Sequence, residues 1–167
     1  MKTDRRTFLR GTALTLGGSL IAAPDFAYSL IDNHMQTKEP IKSEMVREFV
    51  IAGHGNLAKV KELLDQEPNV LNATWDWGGG DFETAIGGAG HMGNVEIAEF
   101  LLAKGARADI FCGAMLGQLE VVKALLQTYP SLKSSKGPHG LTLLHHARQG
   151  KERSKIVLDY LIEIGAS

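Results

Sequence analysis

The sequence predicts an all-α fold, a solenoid of about four stacked helix–turn–helix units joined by short or irregular hairpin loops. Three observations predict it. Gly55-Asn56-Leu57, Gly93-Asn94-Val95 and Gly117-Gln118-Leu119 each lead to a leucine pair, Leu63-Leu64, Leu101-Leu102 and Leu125-Leu126, eight and nine residues after the glycine. The glycines are spaced by 38, 24 and, to Gly150, 33 residues, and a recurrence near 33 residues marks a repeat architecture. Within each unit the apolar residues fall on one helical face: Val60, Leu63 and Leu64; Ile97, Phe100 and Leu101; Val121, Val122, Leu125 and Leu126.

Length and composition agree. The chain has 167 residues, 44% hydrophobic and 22% charged, which is one globular domain with room for an appendage and excludes a disordered or multi-span membrane chain. A net charge of −1 gives no basic surface for nucleic acid. The single cysteine, Cys112, excludes an intramolecular disulfide and a cysteine-only zinc site.

The elements follow in order from the N-terminus. Thr3-Asp4-Arg5-Arg6-Thr7-Phe8-Leu9-Arg10 precedes an apolar run from Gly11 to Ala23. That run is too short to cross about 30 Å of hydrocarbon at about 1.5 Å per residue. A basic head, a short apolar stretch and small residues after it describe an export signal. Arg5 and Arg6, followed by Phe8 and Leu9, closely resemble the bacterial twin-arginine signal, which implies export of an already folded protein to the periplasm or beyond. Ala27-Tyr28-Ser29 fits a small-x-small cleavage pattern, so residues 1–29 read as the signal, with an uncleaved anchor as the alternative. Membrane contact is then transient and runs through this segment alone. Residues 30–40 read as a polar linker closing on Pro40. Without residues 1–29 the chain carries 14 basic and 17 acidic residues, a balance that calls for neither nucleic acid nor an anionic membrane.

The repeat units read approximately as 41–77, 78–106, 107–136 and 137–167. The first helix of a unit is short and rich in small residues, as in Ala85-Ile86-Gly87-Gly88-Ala89, so neighbouring helices stack closely. The glycine before each second helix predicts a left-handed turn. One unit cannot bury its apolar face alone, and stacking buries it. The 24-residue spacing predicts a shortened or missing hairpin in the third unit, with Asp109 capping its first helix directly. The last unit carries a two-residue insertion around Lys151 to Lys155.

Thr84-Ala85-Ile86, Ala89, Gly93, Phe100-Leu101-Leu102 and Gly105-Ala106 resemble the ankyrin repeat. Gly140-Leu141-Thr142-Leu143-Leu144-His145 stands where ankyrin repeats carry G-x-T-P-L-H, and no unit has the full T-P-L-H. The resemblance covers roughly residues 41–167. It implies a non-catalytic protein–protein interaction module, here a monomer that binds another exported or envelope protein. It also implies structural hydrogen bonding by His145 at a repeat junction, and exposure of the residue pairs before each turn glycine.

Two candidate partner-binding surfaces follow. The loop Trp75-Asp76-Trp77-Gly78-Gly79-Gly80-Asp81-Phe82-Glu83 holds both tryptophans, and Trp75, Trp77 and Phe82 beside Asp76, Asp81 and Glu83 suit an aromatic anchor with an acidic rim. The competing reading has a tryptophan covering an uncapped apolar edge. The groove stripe would be His54, His91, Met92, Met115 and Leu116, a soft, adaptable surface, with Met115 and Leu116 alternatively packed as core. Cys112 reads as a small buried apolar residue. No motif supports a catalytic residue, a cofactor or a metal: His145 and His146 are adjacent and point about 100° apart on a helix, and a zinc site needs three or four convergent ligands. The alternative function is a periplasmic small-molecule or metal binder, or a weak enzyme, using His54, His91 and Cys112.

Overall fold

A computed structural model describes residues 39–167. The export segment, with Arg5, Arg6, Phe8 and Leu9, and linker residues 30–38 lie outside the described residues. The chain from Pro40 to Ser167 forms one compact unit.

The described chain is mostly helical. It runs α1 (Ser43–Gly53), α2 (Leu57–Gln66), a 3₁₀ turn (Pro68–Asn72), β1 (Thr74–Asp76), β2 (Phe82–Thr84), α3 (Ala85–Met92), α4 (Val95–Ala103), α5 (Ile110–Met115) and α6 (Leu119–Thr128). Two 3₁₀ turns (Pro130–Ser134 and Pro138–Gly140), α7 (Leu143–Gln149), a further 3₁₀ turn (Lys151–Ser154) and α8 (Lys155–Glu163) complete it. The strands pair antiparallel, with Thr74 opposite Thr84, Trp75 opposite Glu83 and Asp76 opposite Phe82. The boundary expected between residues 77 and 78 falls in the turn of this hairpin.

Local chemistry explains the helix starts. Asn56, Thr84, Asp109 and Thr142 each accept a hydrogen bond from the backbone N–H three residues on, at 3.0, 3.1, 2.7 and 3.2 Å. Each such cap is worth about 0.5–2 kcal/mol. At the far end of α3, Gly93 takes the left-handed conformation at φ 72°. The same turn was expected at Gly55 and Gly150, and neither adopts it: φ at Gly150 is −74° and the left-handed position passes to Lys151 at 54°. Gly150 answers a different need, since a Cβ there would overlap the Met115 carbonyl oxygen.

Helices α1, α3, α5 and α7 pack on one another in sequence, and each packs against the helix that follows it after a short turn. No strand separates α4 from α5. Helix α7 contacts α3 as well as α5. Two apolar clusters hold the unit together. One gathers Phe49, Val60, Leu63, Ile86, Ile97, Leu101 and Met115; the other gathers Ile110, Ala114, Val122, Leu143, Val157 and Leu161. Burying side chains of this size contributes about 1.5–3 kcal/mol each before conformational entropy is counted.

Candidate metal centre

Three imidazoles and one carboxylate converge: a ligand atom from each of His54, Glu83, His91 and His139 lies within 4.8 Å of the others. Each arrives on a different piece of the fold. His54 follows the last turn of α1, Glu83 is the middle residue of β2, and His91 occupies the last turn of α3. His139 sits in the 3₁₀ turn before α7. Lys136 and Thr142 pair across the base of that turn, and the Gly137 N–H donates to the Leu141 carbonyl at 2.8 Å.

The outer nitrogen of each surface imidazole is already committed. His54 Nδ1 donates to the Val50 carbonyl at 3.0 Å. His139 Nδ1 donates to Asp81 Oδ2 at 2.8 Å, while Asp81 Oδ1 accepts the His139 backbone N–H, also at 2.8 Å. A carbonyl or an ionised carboxylate only accepts, so Nδ1 of each ring is the donor there and Nε2 is the atom that faces the cluster. Metal-bound histidines are oriented by the same kind of outer hydrogen bond. His139 holds this position with φ at 57°, a left-handed conformation that costs a non-glycine residue roughly 1–2 kcal/mol.

Inside the cluster, His91 Nε2 is 2.8 Å from Glu83 Oε1 and 3.1 Å from His54 Nε2. Glu83 Oε2 is 3.4 Å from His54 Nε2 and 3.5 Å from His139 Nε2, and accepts a hydrogen bond from Trp77 Nε1 at 2.7 Å. Glu83 and His91 are buried, 1% and 7% exposed. Burial by itself pushes the Glu83 carboxyl up. The hydrogen bonds from His91 and Trp77 and the neighbouring His54 outweigh it and hold Glu83 below the usual range. The Asp81 carboxyl is also lowered, chiefly by the His139 backbone N–H. Both acids are therefore anions, and Glu83 is a negative charge enclosed by imidazoles.

The donor set fits a divalent transition metal. Tetrahedral coordination at about 2.0–2.1 Å places ligand atoms about 3.3 Å apart; the contacts to Glu83 and between His54 and His91 span 2.8–3.5 Å, and every pair lies within 4.8 Å. A set of three nitrogens and one oxygen suits zinc, copper, iron or nickel better than calcium or magnesium. A single proton on His91 Nε2 serves one neighbour well; an ion would serve all four ligand atoms.

The residues expected from the sequence divide. His54 and His91 meet in the cluster. Trp77 binds Glu83, and its ring stands 6.4 Å from that of His54 and 5.9 Å from that of His139. Asp81 orients His139. Asp76 accepts the Gly78 N–H at 2.8 Å and serves the hairpin turn, and Trp75 is half-buried across from Glu83. Phe82 and Met92 are exposed, 60% and 53%. Three expectations need correction. Glu83 is no part of an acidic rim, because its carboxylate turns inward to the histidines. Met115 and Leu116 are buried in the apolar cluster between α3 and α5 rather than lining a groove. Cys112 does not join His54 and His91: its thiol is buried, and desolvation with Asp109 nearby pushes it up to about 12.

Glu83 and His139 escaped sequence reasoning as ligands. Four ligands from four segments, at positions 54, 83, 91 and 139, follow no metal-binding spacing. One local signal existed, a histidine inside the turn Gly137-Pro138-His139-Gly140. His145 Nε2 donates to the His91 carbonyl at 3.1 Å, which ties α7 to the helix end that carries His91. A cavity of about 350 Å³ lies alongside, lined by Asp81, Phe82, Thr84, Phe111, Lys136 and Pro138 among others; none of the four ligands lines it.

No protein-family model matches the chain. No curated protein matches it either.

Proposed function

We propose that this chain is an exported, ankyrin-type repeat protein that binds a divalent transition metal through His54, Glu83, His91 and His139. The observation that carries the reading is the convergence of three imidazole Nε2 atoms on one buried, ionised carboxylate, with the two surface rings already oriented through Nδ1. The ankyrin-type stack is supported by the serial packing of α1, α3, α5 and α7, each with its following partner helix, together with the Thr142-Leu143-Leu144-His145 motif. Export rests on Arg5 and Arg6 followed by Phe8 and Leu9. The protein is non-catalytic in this reading.

The test is metal content and titration calorimetry on the purified full chain. One equivalent of Zn²⁺ per chain is expected, with binding weakened at least about tenfold in His139→Ala, a variant at a surface turn that leaves both apolar clusters intact. Absence of stoichiometric zinc, copper, iron or nickel rejects the reading.

A second reading, docking of an exported or envelope protein partner, draws support from the exposure of Phe82 and Met92. Affinity capture with the full chain beside a Phe82→Ala, Met92→Ala double variant tests it. A protein retained equally by both baits rejects that surface.

A further inference from the structure

The turn between β1 and β2 runs Trp77-Gly78-Gly79-Gly80-Asp81. Its three glycines have φ of 121°, 66° and 88°, and a Cβ on any of them would meet nothing within 4 Å. Conformation, not space, therefore requires glycine here. The Trp77 backbone N–H closes the turn by donating to the Asp81 carbonyl at 2.9 Å. The two ends of the turn thus stand side by side, and each reaches a different ligand. Asp81 holds His139. Trp77 Nε1 donates to Glu83 Oε2 at 2.7 Å.

A glutamate carboxylate needs such a hold, because its terminal torsion is broad and no rotamer preference fixes it. Among the described residues, two side chains donate to Glu83: Trp77 at Oε2 and His91, through Nε2, at Oε1. The His91 bond ends on coordination, since a ring nitrogen that binds a metal through its lone pair carries no proton to donate. The indole N–H is a donor only, so it neither competes for the ion nor changes role when one binds. Trp77 is then the side chain that keeps the buried carboxylate in place.

We infer that Trp77 is a positioning residue of the metal centre: its indole N–H fixes the Glu83 carboxylate in the orientation that binds the ion. The glycine turn sets Trp77 beside Asp81, so that one loop orients two ligands, Glu83 and His139. The inference rests on the metal-centre reading above and extends it from the four ligands to the loop that aims two of them.

Trp77→Phe tests it, because this change removes the N–H and keeps an aromatic ring on a half-buried loop position. Trp75→Phe, at the other tryptophan of the same hairpin, is the control. Each full chain is stripped with a chelator and titrated with Co²⁺ while the visible ligand-field bands are followed to saturation. The bands at saturation report the donor atoms and their geometry, independently of affinity. The unaltered chain should bind one cobalt. Trp77→Phe should bind it at least about tenfold more weakly and with shifted bands, and Trp75→Phe should match the unaltered chain in both. A weaker Trp77→Phe site with unchanged bands reduces Trp77 to a structural role and overturns the inference. Affinity and bands both unchanged in Trp77→Phe, or equal changes in the two variants, overturn it as well. These results leave the metal centre standing. No cobalt on the unaltered chain, together with no zinc in the calorimetric test, overturns the metal centre itself.

Discussion

Asp81 grips His139 at two points, one carboxylate oxygen on the backbone N–H and the other on Nδ1, each at 2.8 Å. The two residues lie 58 positions apart. The contact joins the β1–β2 hairpin to the turn before α7, and it aims Nε2 of His139 at Glu83.

Asp81→Asn should therefore weaken metal binding about 10–100-fold, the usual cost of losing an outer hydrogen bond to a ligand histidine. An amide can accept only one of the two bonds well. Zinc titration calorimetry reads the affinity, and a thermal melt of the metal-free chain checks the fold. Unchanged affinity would show that His139 is not a ligand oriented by Asp81.

Cys112 should be inert in the folded protein. Its thiol is pushed up to about 12, so almost no thiolate exists near neutral pH, and thiolate is the reacting species. Labelling with a thiol-reactive disulfide reagent should be slow in buffer and stoichiometric in denaturant. Rapid native labelling would contradict the buried placement.

His146 should make the fold acid-sensitive. It is fully buried, with Nδ1 against the Thr142 carbonyl at 2.8 Å and Nε2 without a partner among the described residues. Burial lowers its affinity for a proton, against the opposing effect of that carbonyl. The unfolded chain then takes up a proton near its ordinary value of 6.5 that the folded chain refuses. The contribution of His146 is thus fully present above that value and is lost as pH falls through it toward the lower folded value. His146→Phe should lose less stability than the unaltered chain between about pH 7.5 and about pH 5.5, read as urea midpoints. Equal losses would place the acid sensitivity elsewhere.

Met115 and Met92 should differ sharply on truncation. Met115 is fully buried between α3 and α5, while Met92 is half-exposed at the end of α3. Met115→Ala should cost about 2–5 kcal/mol. Met92→Ala should stay within about 0.5 kcal/mol. Chemical denaturation separates them, and a small loss at Met115 would contradict its place in the core.

Much of the architecture was legible in the residues. The leucine pairs after Gly55, Gly93 and Gly117 announced α2, α4 and α6, since apolar spacing is a local property of a helix. Asp109 announced the start of α5, because a cap acts within three residues. The lack of a strand between α4 and α5 agrees with the 24-residue spacing. Gly150 misled, because its requirement comes from the Met115 carbonyl on another helix and not from its own turn.

The sequence by itself thus determined the helical class, the cap at Asp109 and the short connection between α4 and α5. It also supplied His54, His91, Trp77 and Asp81 as residues of interest, without their common purpose. Only the tertiary structure decided that Glu83 turns inward, that Met115 and Leu116 are core, and that His139 meets α1 and α3. The reason is physical: local signals act through backbone geometry over a few residues, whereas this cluster joins the end of α1, β2, the end of α3 and the turn before α7. That meeting brings His139 to His91 across 48 positions and leaves no trace in spacing.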